Sequence, residues 1–366
     1  MNLTGKKVAV LGCGRSGISA ARLALAKGAS DVCIFDSSPH ASCSDASLKF
    51  VPGATEEHAR DYAAELVVLS PGIEADIPWT LAFTCAGAPI IGEIELGYCY
   101  YKGRIIAITG TNGKTTTTAL LEHILLQAGK TAKACGNYGY PFCDVAIDEN
   151  APEIAVLEVS SFQMETIHSF RPEVAIWLNF APDHMDRYTK VEDYFNAKLR
   201  IFENMTPEQC AIIRVGENLP AIKPQVQEFS AEVGSGRLYY QQNYIMEAGR
   251  PLMGLRGTAM EQAHNAENSM AAILACRAIG LSALLVQGIA TSIDALSVGF
   301  TIADYDWVKA LVCGLVIAIV TFAICLVGLL LGKTFGTKLA GKASIFGGSI
   351  LIIIGIKIFV EGVFFA

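Results

Sequence analysis

Lys114 stands in the run Gly110-Thr111-Asn112-Gly113-Lys114-Thr115-Thr116, a pattern suited to gripping phosphate. Backbone N–H groups of such a turn point at phosphate oxygens, the lysine supplies a point charge, and a Thr115 or Thr116 hydroxyl reaches a magnesium ion. The spacing departs from GxxxxGK[ST], because Ile108 stands where the first glycine belongs. A second glycine cluster, Gly12, Gly14 and Gly17, is followed by Asp36. It permits a tight turn and close approach of a phosphate to a helix N-terminus. By itself it leaves open a dinucleotide coenzyme, a nucleotide-linked substrate or a turn with no ligand. Glu158 and His184 offer an acidic oxygen and an imidazole for magnesium, an ion that prefers oxygen. Asp183 and Asp186 either support them or are plain loop polar groups. Lys198, taken alone, reads as a solvated helix lysine.

Each glycine run requires a strand before it and a helix after it. "KKVAVLGCGRSGISAARLALAKGASDVCIFD" supplies a strand, a turn, an alanine-rich helix and a second strand ending in Asp36. "ELVVLSPGI" is a further strand closed by a Ser-Pro-Gly turn. This βαβ rhythm predicts a Rossmann-like first domain over residues 1–102. "GRIIAITGTNGKTTTTALLEHILLQAG" opens a P-loop-type central α/β domain over residues 103–282. Strands are expected at "EIAVLEVS", "EVAIWLNF" and "PEQCAIIRV", with helices around "VEDYFNAKLRIFENM" and "HNAENSMAAILACRAIG". Glu158 and His184 then lie just past strands, at the edge where open α/β sheets hold ligands.

The length of 366 residues allows two or three domains. A net charge of -7 argues against a general nucleic-acid binder, which needs a basic face. The 11 cysteines show no CxxC pair or regular spacing, so free thiols are expected rather than zinc or a disulfide framework. "MNLTGKKVAVLGCG" lacks the apolar segment and cleavage site of a signal peptide, which places the front in the cytoplasm.

Hydrophobic residues reach 52% and charged ones only 17%, an imbalance concentrated from Ala283 onward. Residues 283–303, 310–332 and 343–361 each have the length and apolarity of a membrane span. The expected fold is therefore α/β followed by three transmembrane helices. Lys333, Lys338 and Lys342 put the second loop, and hence residue 283, on the cytoplasmic side, tethering the front to the inner membrane. Asp294 is costly in lipid and is a candidate ion ligand in the tail, or a helix-packing group.

The front resembles the Mur ligase family over residues 1–282, and most closely its D-glutamate-adding branch. "LGCGRSG", "SPGI", "ITGTNGKTTTT", "GNYG", "LEVSSFQ", "LNFAPDHMDRY", "NAKLRIFENM" and "HNAENSMAA" carry the likeness in family order. The resemblance implies an ATP- and magnesium-dependent amide synthesis, adding D-glutamate to UDP-N-acetylmuramoyl-L-alanine in cell-wall building. A carboxylate would be phosphorylated and then attacked by an amine. By the same resemblance Gly110 through Thr116 would hold ATP phosphates, and Asn265 and Asn268 would approach the adenine. Thr115, Glu158, His184 and a carbamylated Lys198 would support magnesium. Lys114, Asn137, His184 and Lys198 would carry the chemistry, and Gly14, Asp36, Ser70 and Gly72 would lie by the uridine nucleotide.

The family's third α/β domain is not read after "HNAENSMAA", so the resemblance implies impaired turnover. Residues 283–366 instead resemble the C-terminal half of the bacterial manganese-efflux pumps, through "GIATSIDALSVGF" and "LLGKTFGTKLAGKASIFGGSILIIIGIKI". The alternative expectation is thus a manganese-transporter fragment or a non-functional fusion. A lone three-span repeat would gain a partner only by weak self-association.

Overall fold

Strand β1 (Lys7–Leu11) places Val8, Ala9, Val10 and Leu11 wholly out of solvent, as a parallel strand covered on both faces must. The computed structural model describes residues 1–84, 87–256, 258 and 260–281, which fall within one compact unit. After β1 come α1 (Arg15–Ala26), β2 (Asp31–Asp36), β3 (Lys49–Pro52), α2 (Glu56–Tyr62), β4 (Leu66–Leu69), α3 (Pro78–Ala82), β5 (Ile90–Gly92) and α4 (Glu93–Tyr100). The strands form a parallel sheet in the order β3-β2-β1-β4-β5. The winding reverses between β1 and β4, the crevice where sheets of this kind bind ligands.

The second sheet begins with β6 (Arg104–Thr109), α5 (Lys114–Gln127), β7 (Ala132–Gly136), α6 (Phe142–Ile147), β8 (Ile154–Glu158), α7 (Ser161–Met164) and β9 (Val174–Trp177). It continues with α8 (Val191–Leu199), β10 (Cys210–Arg214), β11 (Gln225–Ser230), β12 (Leu238–Gln241), β13 (Tyr244–Glu247), β14 (Arg250–Gly254) and α9 (Ala263–Ala278). Strand order is β14-β13-β12-β11-β10-β9-β6-β8-β7, with β6 between β8 and β9. The last strands turn antiparallel. Helices α5 and α9 seal one face through Leu121, Ile124, Leu125, Met270 and Leu274, all buried.

The two sheets share packing. Helix α4 lies so close to α6 that a Cβ on Gly97 would sit 2.7 Å from the Phe142 ring. Buried Glu93 accepts the Cys143 N–H at 2.6 Å, while its other oxygen has no partner. Burial pushes the Glu93 carboxyl up to about 7. Glu95, also buried, takes the backbone N–H groups of His168, Ser169 and Phe170 and the Ser169 hydroxyl. Two carboxylates on one helix thus join the front sheet to the central one.

Both expected α/β sheets are present, but the expected transmembrane helices must be withdrawn. No helix among the described residues is long and apolar enough to cross a membrane. The longest, α9, has 16 residues, about 24 Å of helix, against a hydrocarbon core of about 30 Å. The spans placed at 283–303, 310–332 and 343–361, with Asp294, lie outside the described residues. The bilayer partner, the inner-membrane tether and the self-association that depended on those helices are withdrawn with them. The physical reason is that an apolar run signals burial without naming what buries it. Within α9, Met270 to Cys276 are all buried, and what covers them is protein core.

Candidate active site

The 110–113 turn is built for close approach. Gly110 has φ 151° and Gly113 φ 83°, values that disfavour any residue with a Cβ. A Cβ on Gly113 would lie 2.4 Å from Asn268 Oδ1 of α9. The turn is stapled to the chain leaving β9. Thr111 N–H donates to Asn179 O (3.0 Å), Asn112 N–H to Asn179 Oδ1 (2.9 Å) and Asn179 Nδ2 to Asn112 O (3.1 Å). Thr111 Oγ1 accepts the Ala181 N–H at 3.0 Å.

Two lysines converge on this turn. Lys114 Nζ donates to Gly110 O and Thr111 O, both at 2.9 Å. Lys198 Nζ, from α8, donates to the same Gly110 O at 2.8 Å and lies 4.8 Å from the centre of the Tyr194 ring. Burial lowers the proton affinity of Lys114. Burial, with the neighbouring Lys114 charge adding to it, pushes Lys198 down to about 7. Lys198 is 2% exposed, so the reading of a solvated helix lysine is wrong as to its environment. Periodicity in a short helix carries no sign of a partner 88 residues away.

Glu158, buried at the end of β8, receives neutral donors only. Thr115 Oγ1 donates to one oxygen at 2.8 Å and Asn137 Nδ2 to the other at 2.7 Å. Asn137 N–H also meets Glu158 O at 2.9 Å. Thr116 is exposed in the first turn of α5. His184 is exposed and adopts φ 56°. Its ring rests 5.1 Å from Phe162 and 5.8 Å from Tyr194, centre to centre. Asp183 takes the His184 N–H at 2.8 Å. No group of His, Cys, Asp and Glu side chains that could hold a metal ion forms among the described residues. Lys114, Thr115, Asn137, Glu158 and Lys198 are therefore gathered in the structure, and His184 packs on Tyr194, the ring that Lys198 also approaches.

On the other side of the turn, Asn268 is buried and Asn265 half-buried on the first turns of α9. A cavity of about 330 Å³ opens there, lined by Asn112, Gly113, Asn179, His264, Glu267 and Asn268 among others.

In the front sheet Gly12 has φ 95°, and a Cβ on Gly17 would fall 1.9 Å from Gly12 O. Gly14 is exposed at the start of α1. Asp36 braces this turn, one oxygen accepting the Cys13 N–H and the other the Ser38 N–H, both at 3.0 Å. Ser70 Oγ donates to Gly12 O at 3.3 Å, and Gly72 is exposed in the next turn. These four assemble at one edge of the front sheet, separate from the lysine cluster.

Sequence reasoning missed the groups that hold these edges in place. Arg187 donates to Glu165 Oε2 (2.7 Å) and to Pro71 O of the Ser-Pro-Gly turn (3.3 Å), and stacks on Phe162. Asn179 and Glu95 were also missed. Arg187 and Asn179 stand within the run "LNFAPDHMDRY", but a charge or amide in a loop names no partner.

The fold and this edge define an α/β protein with a glycine-rich turn between β6 and α5. Residues 108–276 match the profile of the Mur ligase middle domain, and residues 6–92 that of the Mur ligase MurD-like N-terminal domain. The chain belongs, through these residues, to the Mur ligase family. It is 35% identical over 309 residues to UDP-N-acetylmuramoylalanine--D-glutamate ligase of Acidobacterium capsulatum, which covers 78% of this chain and 66% of that protein. The same-named ligase of Koribacter versatilis is 39% identical over 295 residues, or 75% of this chain and 64% of that one. This chain thus spans somewhat less than two thirds of these relatives' length. Among solved structures, UDP-N-acetylmuramate:L-alanyl-gamma-D-glutamyl-meso-diaminopimelate ligase from Neisseria meningitides superposes with TM-score 0.55 at 15% identity, covering 77% of this chain and 96% of that one. A murein peptide ligase from Psychrobacter arcticus gives 0.53 at 18%, covering 79% and 68%. These two likenesses show the fold.

Residues 247–359 resemble the Mntp manganese efflux pump family. The first part of that stretch, 247–276, is claimed by both profiles. In the structure it contributes β14 and α9 to the central fold, where α9 packs against α5. Residues 282–366 lie outside the described residues.

Proposed function

We propose that this chain binds Mg-ATP at the edge of β6 and a UDP-linked carboxylic acid in the crevice between β1 and β4. The reaction served is ATP-driven amide formation, with UDP-N-acetylmuramoyl-L-alanine and D-glutamate as substrates. The carrying observation is the convergence of Lys114 and Lys198 on one turn, next to the hydrogen-bonded chain Thr115–Glu158–Asn137.

The residues present suit the ligands. Gly110 and Gly113 let the turn pack closely on Leu178 and Asn268, where a Cβ would collide, and their positive φ values shape a turn whose backbone N–H groups can meet phosphate. Glu158 is a buried carboxylate bonded only to neutral donors, an environment a hard cation completes well. ATP supplies the phosphoryl group that activates the acid. Lys114 would move from the turn carbonyls to phosphate oxygens, and its charge offsets repulsion between two polyanions. Thr115 and Glu158 would hold magnesium, with Asn137 fixing the Glu158 carboxylate. Lys198 near a pKa of 7 holds a substantial neutral fraction at neutral pH, and carbamylation requires the neutral amine. Its modified end would add a second anionic ligand. His184, brought in by movement of its exposed loop, would complete the set. Asn268 and Asn265 face the side where the adenine would lie. Asp36 and Ser70 hold the front turn, and Gly14 and Gly72 leave its mouth open for the diphosphate and uridine.

Binding is the first property to test. Titration calorimetry of the full chain should register both Mg-ATP and UDP-N-acetylmuramoyl-L-alanine. Lys114→Ala should weaken the ATP response about 100-fold, from loss of a charged hydrogen-bonding group worth about 3 kcal/mol, and leave the UDP response intact. Equal loss of both, or no response to either from folded protein, would refute the assignment.

A further inference from the structure

Cys13 sits inside the front glycine turn, between Gly12 and Gly14. Its backbone N–H is fixed to Asp36, so the side chain has a defined direction. The Cys13 thiol donates to Ser42 O at 3.4 Å, which brings it to the residue next to Cys43. Cys43 in turn donates to Asp45 O at 3.4 Å. Both sulfurs belong to half-buried residues, whereas Cys33, Cys135, Cys143 and Cys276 are buried. Residues 37–48 form neither helix nor strand. They are tied down near Asp45, which holds Arg22 at 2.8 Å and the Ser47 hydroxyl at 2.6 Å.

We propose that Cys13 and Cys43 form a reversible disulfide that straps the 37–48 segment across the front glycine turn. The sulfurs must leave the Ser42 and Asp45 carbonyls and close to about 2.05 Å, a movement that a segment without backbone ladder bonds accommodates. Disulfides in reducing compartments are mostly transient and redox-sensing. The oxidant is a peroxide. A thiolate at Cys43 attacks one peroxide oxygen, giving a sulfenic acid and releasing the other oxygen as hydroxide. The Cys13 sulfur then displaces the sulfenic hydroxyl, and the Cys13 proton leaves with it as water. Two thiols are oxidised and one peroxide is reduced to two waters. Cys13 is the resolving partner, because burial, with neighbouring Cys43 and the Asp36 charge adding to it, pushes its thiol up to about 12. A strap here would narrow the mouth in which the UDP-linked acid is proposed to bind; that consequence alone rests on the proposed function.

The test treats reduced, folded full-length protein with stoichiometric hydrogen peroxide and maps peptides without reduction. A Cys13–Cys43 linked peptide should form, disappear with dithiothreitol and be absent from Cys43→Ser. Amide exchange of residues 12–17 should slow in the oxidised wild type and stay unchanged in oxidised Cys43→Ser. UDP-N-acetylmuramoyl-L-alanine should bind at least about tenfold more weakly after oxidation, a change of 1.4 kcal/mol, and Cys43→Ser should resist that loss. Overoxidation of Cys43 with Cys13 still reduced, or pairing of either with another cysteine, would overturn the disulfide. A linked peptide with unaltered exchange would overturn the strap, and unaltered UDP affinity would overturn the gating. If the reduced protein binds no UDP substrate, the functional reading fails, and the linked peptide and exchange still decide the disulfide.

Discussion

Lys198 shows most plainly how position rather than residue type sets chemistry here. Its ammonium faces one carbonyl and a second lysine in a buried site, so the folded state holds its proton less tightly than the usual 10.5. Between about 7 and 10.5 the unfolded chain therefore binds more protons, and stability rises with pH across that window. Below 7 the whole penalty is present. Wild type should accordingly gain on Lys198→Met as pH is raised from 7 to 9.5, read as a shrinking or reversing difference in urea midpoints in carbon-dioxide-free buffer. A difference that does not change with pH would show that Lys198 is not held as a buried, depressed amine. The loop groups at this scale were partly legible. Lys114, Thr115 and Glu158 announced themselves by spacing after strands. Lys198 was singled out only by family likeness, because nothing local distinguishes it from a surface lysine.

At the scale of elements, the glycine turns are the most constrained features. The Cβ of Gly17→Ala would collide with Gly12 O at 1.9 Å, and backbone cannot swing away as a side chain can. Overpacking of this kind costs about 1–3 kcal/mol. Chemical denaturation should show that loss, and UDP-substrate binding should fall with it; an unchanged midpoint would mean that α1 and β1 are not so closely apposed. The α4–α6 contact carries a different signature. Glu93 has its carboxyl raised from 4.5 to about 7 by burial. A raised carboxyl contributes fully below 4.5, and that contribution is lost as pH rises through 7. Glu93→Gln should therefore melt increasingly above wild type between pH 5 and pH 8, with most of the gain accrued by pH 7. Parallel melting curves for the two proteins across that range would contradict this. Strands β11 to β14 escaped sequence reading because they are short and half-exposed, so neither alternation nor a continuous apolar run marks them.

At the scale of the whole molecule, the front and central sheets share one continuous apolar cluster that runs from Val8 and Leu23 through Phe142 to Trp177. Heat should unfold residues 1–281 in one transition. Glu95→Ala would strand the N–H groups of His168, Ser169 and Phe170. Only the Phe170 donor is buried, the other two partly so, and an unmet buried donor costs about 1–3 kcal/mol, so calorimetry should show a loss of at least about 1 kcal/mol. Separation into two transitions, or a loss below about 1 kcal/mol, would mean that the sheets are joined elsewhere.

By itself the sequence determined the local grammar of this protein. Strand–glycine–helix units appear at residues 7–26 and 104–127, and the acidic residue that ends β8 is set at the sheet edge. These are short-range facts, dictated by side-chain periodicity and by the φ values that only glycine tolerates easily. The tertiary structure alone decided which distant groups meet: Lys198 with Gly110, Asn137 with Glu158, Arg187 with Pro71, Cys13 with Ser42. It also decided that the apolar face of α9 meets protein core. Such pairings depend on strand order and on the direction each loop leaves its sheet, and no residue carries that information in its own neighbourhood.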